Sequence, residues 1–122
     1  KNTTELNYEN NYRYIRYADV LLMAAEANNR GGISDSKAQT YLNQVRSRAG
    51  VSPMNETGSA LTQAIWDERR LEFAGEGHRF FDLVRTGQAA NEISGFVAGK
   101  HEVFPIPQTE IDISGLTQNS GY

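Results

Sequence analysis

Apolar residues in this chain fall into helical spacing once the first dozen positions are passed. Ile15, Ala18, Leu22 and Ala25 recur at intervals of three and four, and Leu21 and Ala24 widen the stripe. The Ala-rich run through Ala27 supports a helix from about Arg16 to Asn29 on propensity alone. Gly31-Gly32 then stands where a C-terminal cap is needed. Ser34 or Ser36 is placed to cap a second helix, with Asp35 near its positive end. Ala38, Leu42, Val45 and Ala49 line one face of that helix, with Tyr41 beside them, and Gly50 marks its stop. Two helices joined by so short a turn are expected to pack as an antiparallel hairpin over residues 14–50.

Ser52-Pro53 through Gly58 reads as a loop, and Ser59 as the cap of a third helix running about Ala60 to Ala74. Its apolar positions are Leu61, Ala64, Ile65 and Leu71, with Glu68 and Glu72 continuing the same side. Gly75 and Gly77 break it. A short fourth helix from His78 to about Arg85 ends at Thr86-Gly87, so residues 59–87 are expected to form a second hairpin. Beyond Gly87 the period fades. One weak turn falls around residues 89–93, residues 102–107 are extended because each proline disfavours helix before it, and 108–113 form one helical turn. Leu116 to Tyr122 is a polar tail, and residues 1–12 are a polar, Asn-rich lead-in carrying Tyr8 and Tyr12.

The predicted fold is therefore all-α: hairpins of tetratricopeptide-like architecture, followed by an irregular, Pro-containing C-terminal segment. The usual repeat consensus is missing, and two pairs are fewer than the three or more such stacks need. Together with the opening Lys1-Asn-Thr-Thr-Glu-Leu-Asn, this reads as a single segment, residues 1–122, of a longer chain.

Composition narrows the classes. The 122 residues are 39% hydrophobic and 22% charged, ordinary for a globular protein. Net charge is -3 with no basic stripe, so nucleic acid is not an expected partner. No run of about 18 apolar residues exists to span a membrane as a helix. Without cysteine there is neither a disulfide nor a thiolate metal site, and the compartment is left open.

The most chemically loaded stretch is Trp66 through Gly87, where charged and aromatic residues interleave. Charges drawn in beside apolar side chains each need a partner. Glu68, Arg69, Arg70, Glu72, Glu76, Arg79, Asp82 and Arg85 are read as a structural charge network. Within it Glu76/Arg79, Arg79/Asp82 and Asp82/Arg85 are spaced to pair along the chain. Glu68, Glu72 and Glu76 recur every fourth residue, and a carboxylate pair can serve glycoside hydrolysis. A guanidinium partner, however, favours the ionised carboxylate, the wrong form for a general acid. Glu72, Glu76 and His78 make a poor metal set, because two glycines break their register and only one histidine is near. His101 is the other histidine. No Gly-x-Ser-x-Gly elbow exists, and Gly75-Glu-Gly77 lacks the rest of a phosphate loop. Trp66, Phe80 and Phe81 can stack on a sugar ring but are read as core, and Tyr14 and Tyr17 as packing on one helix face. No catalytic residue, metal or cofactor is expected.

Several stretches, in order, resemble the C-terminal region of the SusD/RagB family of Bacteroidetes surface lipoproteins. They are Tyr14-Ile-Arg-Tyr-Ala-Asp-Val-Leu-Leu-Met-Ala-Ala-Glu-Ala27, Leu42-Asn-Gln-Val-Arg-Ser-Arg-Ala-Gly50, and Ile65 through Gly87. Phe104-Pro-Ile-Pro-Gln-Thr-Glu-Ile111 and Thr117-Gln-Asn-Ser-Gly-Tyr122 follow. The resemblance implies a mainly helical fold and a non-catalytic protein on the extracellular face of the outer membrane, lipid-anchored through a cysteine upstream of these residues. It implies capture of an oligosaccharide for a SusC-like TonB-dependent transporter. The family's ligand residues lie mostly in earlier parts of its chain, so no ligand-binding residue is assigned here. The charge-rich stretch is then scaffold, fixing how the hairpins meet, and replacing Arg79 or Asp82 with Ala is expected to cost ~3–5 kcal/mol. Two other readings stand beside this one: a free-standing helical-repeat module for protein contacts, and a small hydrolase using Glu72 and Glu76.

Overall fold

The computed structural model describes residues 13–122. The lead-in with Tyr8 and Tyr12 lies outside the described residues. Among those described, six helices and no strand occur: α1 Tyr17–Arg30, α2 Asp35–Arg48, α3 Gly58–Glu72, α4 Arg79–Arg85, α5 Ala89–Glu92 and α6 Gln108–Ser114. The all-α expectation holds.

The first three helices pack on one another. α1 turns in Ala18, Leu21, Leu22 and Ala25; α2 contributes Ala38, Leu42 and Val45; α3 contributes Leu61, Ala64 and Ile65. Leu22, Leu42, Leu61 and Ile65 are fully enclosed, each contributing about 2 kcal/mol of transfer free energy. The alanines at 18, 25 and 38 keep the helix axes close. α3 packs against α1 and α2, closing a compact unit that ends at Glu72; residues 73–122 make a second.

The ends of the helices follow from a few residues. Ser34, rather than Ser36, caps α2, its hydroxyl accepting the Lys37 N–H at 3.2 Å. Both α1 and α2 stop in the same way. At Gly32 (φ 65°) and Gly50 (φ 72°) the chain turns left-handed. The next amides then reach back, Ile33 N–H to Asn28 O and Val51 N–H to Arg46 O, each at 2.9 Å. A side chain in that conformation is strained, so Gly50→Ala is expected to lower stability by about 1 kcal/mol, read as a shift in the urea midpoint.

Some sequence expectations are corrected. Ser59 does not cap α3, which starts one residue earlier, at Gly58, whose N–H is taken by Asp35 of α2 at 2.7 Å. Ile15 precedes α1 and is exposed, and Tyr14 and Tyr17 are 79% and 72% exposed rather than packed. The buried stripe of α1 passes through residues 18, 21, 22 and 25, and Tyr17 falls beside it. Leu71 is 71% exposed because it lies roughly a third of a turn from Ile65 around α3. Ala49 is exposed as the residue that ends α2. Phe81 is exposed too, not core.

Two loops are held by side chains gripping main chain. The amide of Asn43 meets both polar groups of Met54, donating to its carbonyl at 2.9 Å and accepting its N–H at 2.7 Å. Gln39 and Arg46 hold the carbonyls of Glu56 and Ser52. In the second unit the amide of Gln118 does the same to Ile106, at 2.8 and 2.9 Å. Asn119 and the Tyr122 hydroxyl donate to the carbonyls of Phe104 and Val103. The polar tail is thus pinned to the Pro-containing stretch.

Candidate functional site

The stripe of α3 that buries Leu61, Ala64 and Ile65 continues through Glu68 and Arg69. The backbone period leaves them no way out, so each must be answered by the facing helix. Arg69 donates to Asp19 of α1 at 2.6 Å, and both side chains are more than nine-tenths buried. Glu68 accepts from Arg46 of α2 at 2.5 Å. One turn on, Glu72 takes Arg16 at 2.8 Å on one oxygen and Arg48 on the other. Arg16 also donates to the Glu72 carbonyl at 3.0 Å. At the other end of α1, Glu26 accepts the Trp66 indole N–H at 3.1 Å and Arg30 at 2.9 Å. These contacts tie α3 to α1 and α2.

The remaining residues expected in the network sit elsewhere. Asp82 does pair with Arg85, at 2.7 Å. Arg79 reaches Glu92 at 3.3 Å, and both are well exposed; an exposed pair contributes below about 1 kcal/mol. The large cost expected for Arg79→Ala therefore belongs to Arg69 instead. Arg70 is exposed and makes no ion pair among the described residues. Glu76 is half-buried in the glycine turn and has a partner of its own.

For the hydrolase reading on Glu72 and Glu76, Glu72 is poorly placed, since guanidinium groups occupy both its oxygens. Among the described residues no group of three or more His, Cys, Asp or Glu is arranged to hold a metal ion. Trp66 is half-buried, and the guanidinium of Arg30 lies 5.6 Å from its ring centre, so that face is not an open platform.

Two recesses were not anticipated. One is polar and lies where three helices meet. Asn29 donates to Asp35 at 2.7 Å and to the Gly58 carbonyl at 3.0 Å, while its own oxygen takes the Thr62 hydroxyl at 2.5 Å. Asn29, Asp35, Gly58 and Thr62 line this recess of about 610 Å³. The Asn29 amide and then the Gly58 N–H hold the Asp35 carboxyl below the usual carboxylate range. A lowered folded value means the stabilisation is complete above the ordinary range and is lost as pH falls through it. Asp35→Asn is accordingly expected to be less stable than the parent at neutral pH, with the difference closing on acidification, as read by urea titrations across that range.

The other recess, in the second unit, is aromatic and encloses about 320 Å³ between Phe80, Ile93, Phe96, His101, Phe104 and Tyr122. Phe80 and Phe104 lie 6.4 Å apart and Phe96 meets His101 edge-on at 5.7 Å. Phe80 was expected as core; it is half-buried on this wall. Asp19, Glu26 and Asn29 are buried polar positions that sequence reasoning did not single out. Their signal was there: polar residues falling beside the buried stripe of α1.

Comparison with known proteins bears on this scaffold. The model of the SusD family matches residues 1–103. SusD-like protein P25 of Formosa agariphila is 32% identical over 99% of this chain and 27% of its own. A SusD homologue from Bacteroides thetaiotaomicron superposes with a TM-score of 0.82 at 36% identity, over 90% of this chain and 25% of that one. Surface glycan-binding protein A from the same species, solved in complex with laminarihexaose, gives 0.80 at 41% identity over 98% and 27%. The chain spans about a quarter of the length of these relatives. With a family model covering most of its length and relatives above 30% identity along nearly all of it, the chain belongs to the SusD family.

Proposed function

We propose that the protein to which these residues belong is a non-catalytic glycan-binding protein of the bacterial cell surface. It holds an oligosaccharide for a SusC-like TonB-dependent transporter in the outer membrane. The observation that carries this is the likeness, over 98% of the chain at 41% identity, to a surface glycan-binding protein solved with laminarihexaose. The saturated ion pairs are consistent with it: Glu68, Arg69 and Glu72 are engaged in holding helices together. In this reading residues 13–72 are scaffold, and the full-length protein is held at the membrane by lipid, as its resemblance to a family of surface lipoproteins implies.

The test is calorimetry of the full-length protein against a panel of oligosaccharides, β-glucans included, with product analysis in parallel. Saturable binding without turnover is expected, along with co-purification of a TonB-dependent transporter from outer membranes. A folded full-length protein that binds no glycan in the panel, or that cleaves one, overturns the reading.

A further inference from the structure

The aromatic recess of the second unit has one wall that depends on a proton. Residues 97–101 close into a tight turn in which the Val97 carbonyl accepts the N–H groups of Lys100 and His101, at 3.2 and 3.0 Å. The Val97 N–H in turn donates to Nδ1 of His101 at 2.9 Å. Both polar ends of Val97 are therefore tied to one histidine. A backbone N–H can only donate, so this Nδ1 carries a lone pair, and the neutral ring holds its proton on the other nitrogen. The same imidazole packs edge-on against Phe96 and lines the recess with Phe80, Phe104 and Tyr122.

We propose that His101 is a proton-operated latch on this turn. Protonation places an N–H on Nδ1 opposite the N–H of Val97, two donors face each other, and the bond is lost. The ring must turn away or the 97–101 turn must open, and either change alters the wall of the recess. Histidine is the side chain whose change of charge lies closest to neutral pH. The charged and titratable groups around it are few. Glu102 follows directly, its carboxyl held below the ordinary range first by the Gly99 N–H. Lys100 sits over the Tyr122 ring at 4.7 Å, and the Tyr122 hydroxyl donates to Val103. Phe80, Ile93, Phe96 and Phe104 supply no charge to the wall. Opening the turn would carry Lys100 away from Tyr122, so the C-terminal clamp loosens with it.

Hydrogen exchange of the full-length protein, followed by mass spectrometry in peptides spanning 96–103 and corrected for the intrinsic rate, reads the latch. Protection of this segment is expected to fall as the pH is lowered, by up to about tenfold per pH unit, the consequence of one proton bound on opening. Peptides from α1 and α2 should show no such trend. In His101→Asn the side-chain oxygen accepts from Val97 and does not titrate over this range, so protection should stay flat. A pH-independent parent, or an Asn variant that keeps the parent's pH dependence, overturns the proposal.

Discussion

Arg69→Ala is expected to remove about 3–5 kcal/mol of stability, a large share of the total a domain holds. The size follows from what is left behind. Asp19 is buried on α1 and takes the Arg69 guanidinium at 2.6 Å. Truncation strands that carboxylate among Ala18, Leu21 and Leu22, where water does not replace the lost donor. The design that separates pairing from packing is a cycle. Asp19→Leu alone should also cost several kcal/mol, whereas Asp19→Leu with Arg69→Met removes both charges and should recover most of the loss. Trp66, the one tryptophan, lies on α3 within the same unit, so its fluorescence in urea reports the relevant transition. A single-variant loss below that of an exposed pair would show that water reaches Asp19 in solution.

Leu22→Ala is expected to cost about 2–5 kcal/mol by a different route. Leu22 is wholly enclosed on the face of α1 turned toward α2 and α3, among Leu42, Leu61 and Ile65. Cutting it back removes transfer free energy and leaves a void that three helices, pinned by ion pairs at Glu68 and Glu72, are poorly able to close. Leu22→Met keeps the volume and should cost less than about 1.5 kcal/mol. Leu71→Ala, at an exposed site on another face of α3, serves as the control and should change the urea midpoint little. Equal losses at Leu22 and Leu71 would mean that α3 is buried on a face other than the one described.

The contrast between these residues shows what was legible beforehand. Helices α1 to α3 were readable because a 3.6-residue period sets which of Ala18, Leu22, Ala25, Leu42 and Ile65 face inward. Ser34, Gly32 and Gly50 announced the helix ends through local chemistry alone. The ion-pair partners across helices were not readable. Arg69 finds Asp19 fifty residues back in the chain, and nothing in local spacing marks that match. Spacing favoured neighbours: Asp82/Arg85 does form, whereas Arg79 takes Glu92. The aromatic exterior was equally hidden. Tyr14 and Tyr17 read as packing because aromatic residues on a helix usually are, yet only the position of α2 and α3 decides which side of α1 is inside. The aromatic recess and the His101 turn have no periodic signature at all.

The grip of Asn43 on both polar groups of Met54, and of Gln118 on those of Ile106, has a consequence for how such a chain can diverge. Neither holder touches the identity of the residue it holds, because it binds only the main chain. The lettering at 54 and 106 is thus free to drift among residues that keep a backbone N–H, while the path of the loop is inherited. Constraint is displaced onto Asn43 and Gln118, each of which carries the shape of a segment written elsewhere.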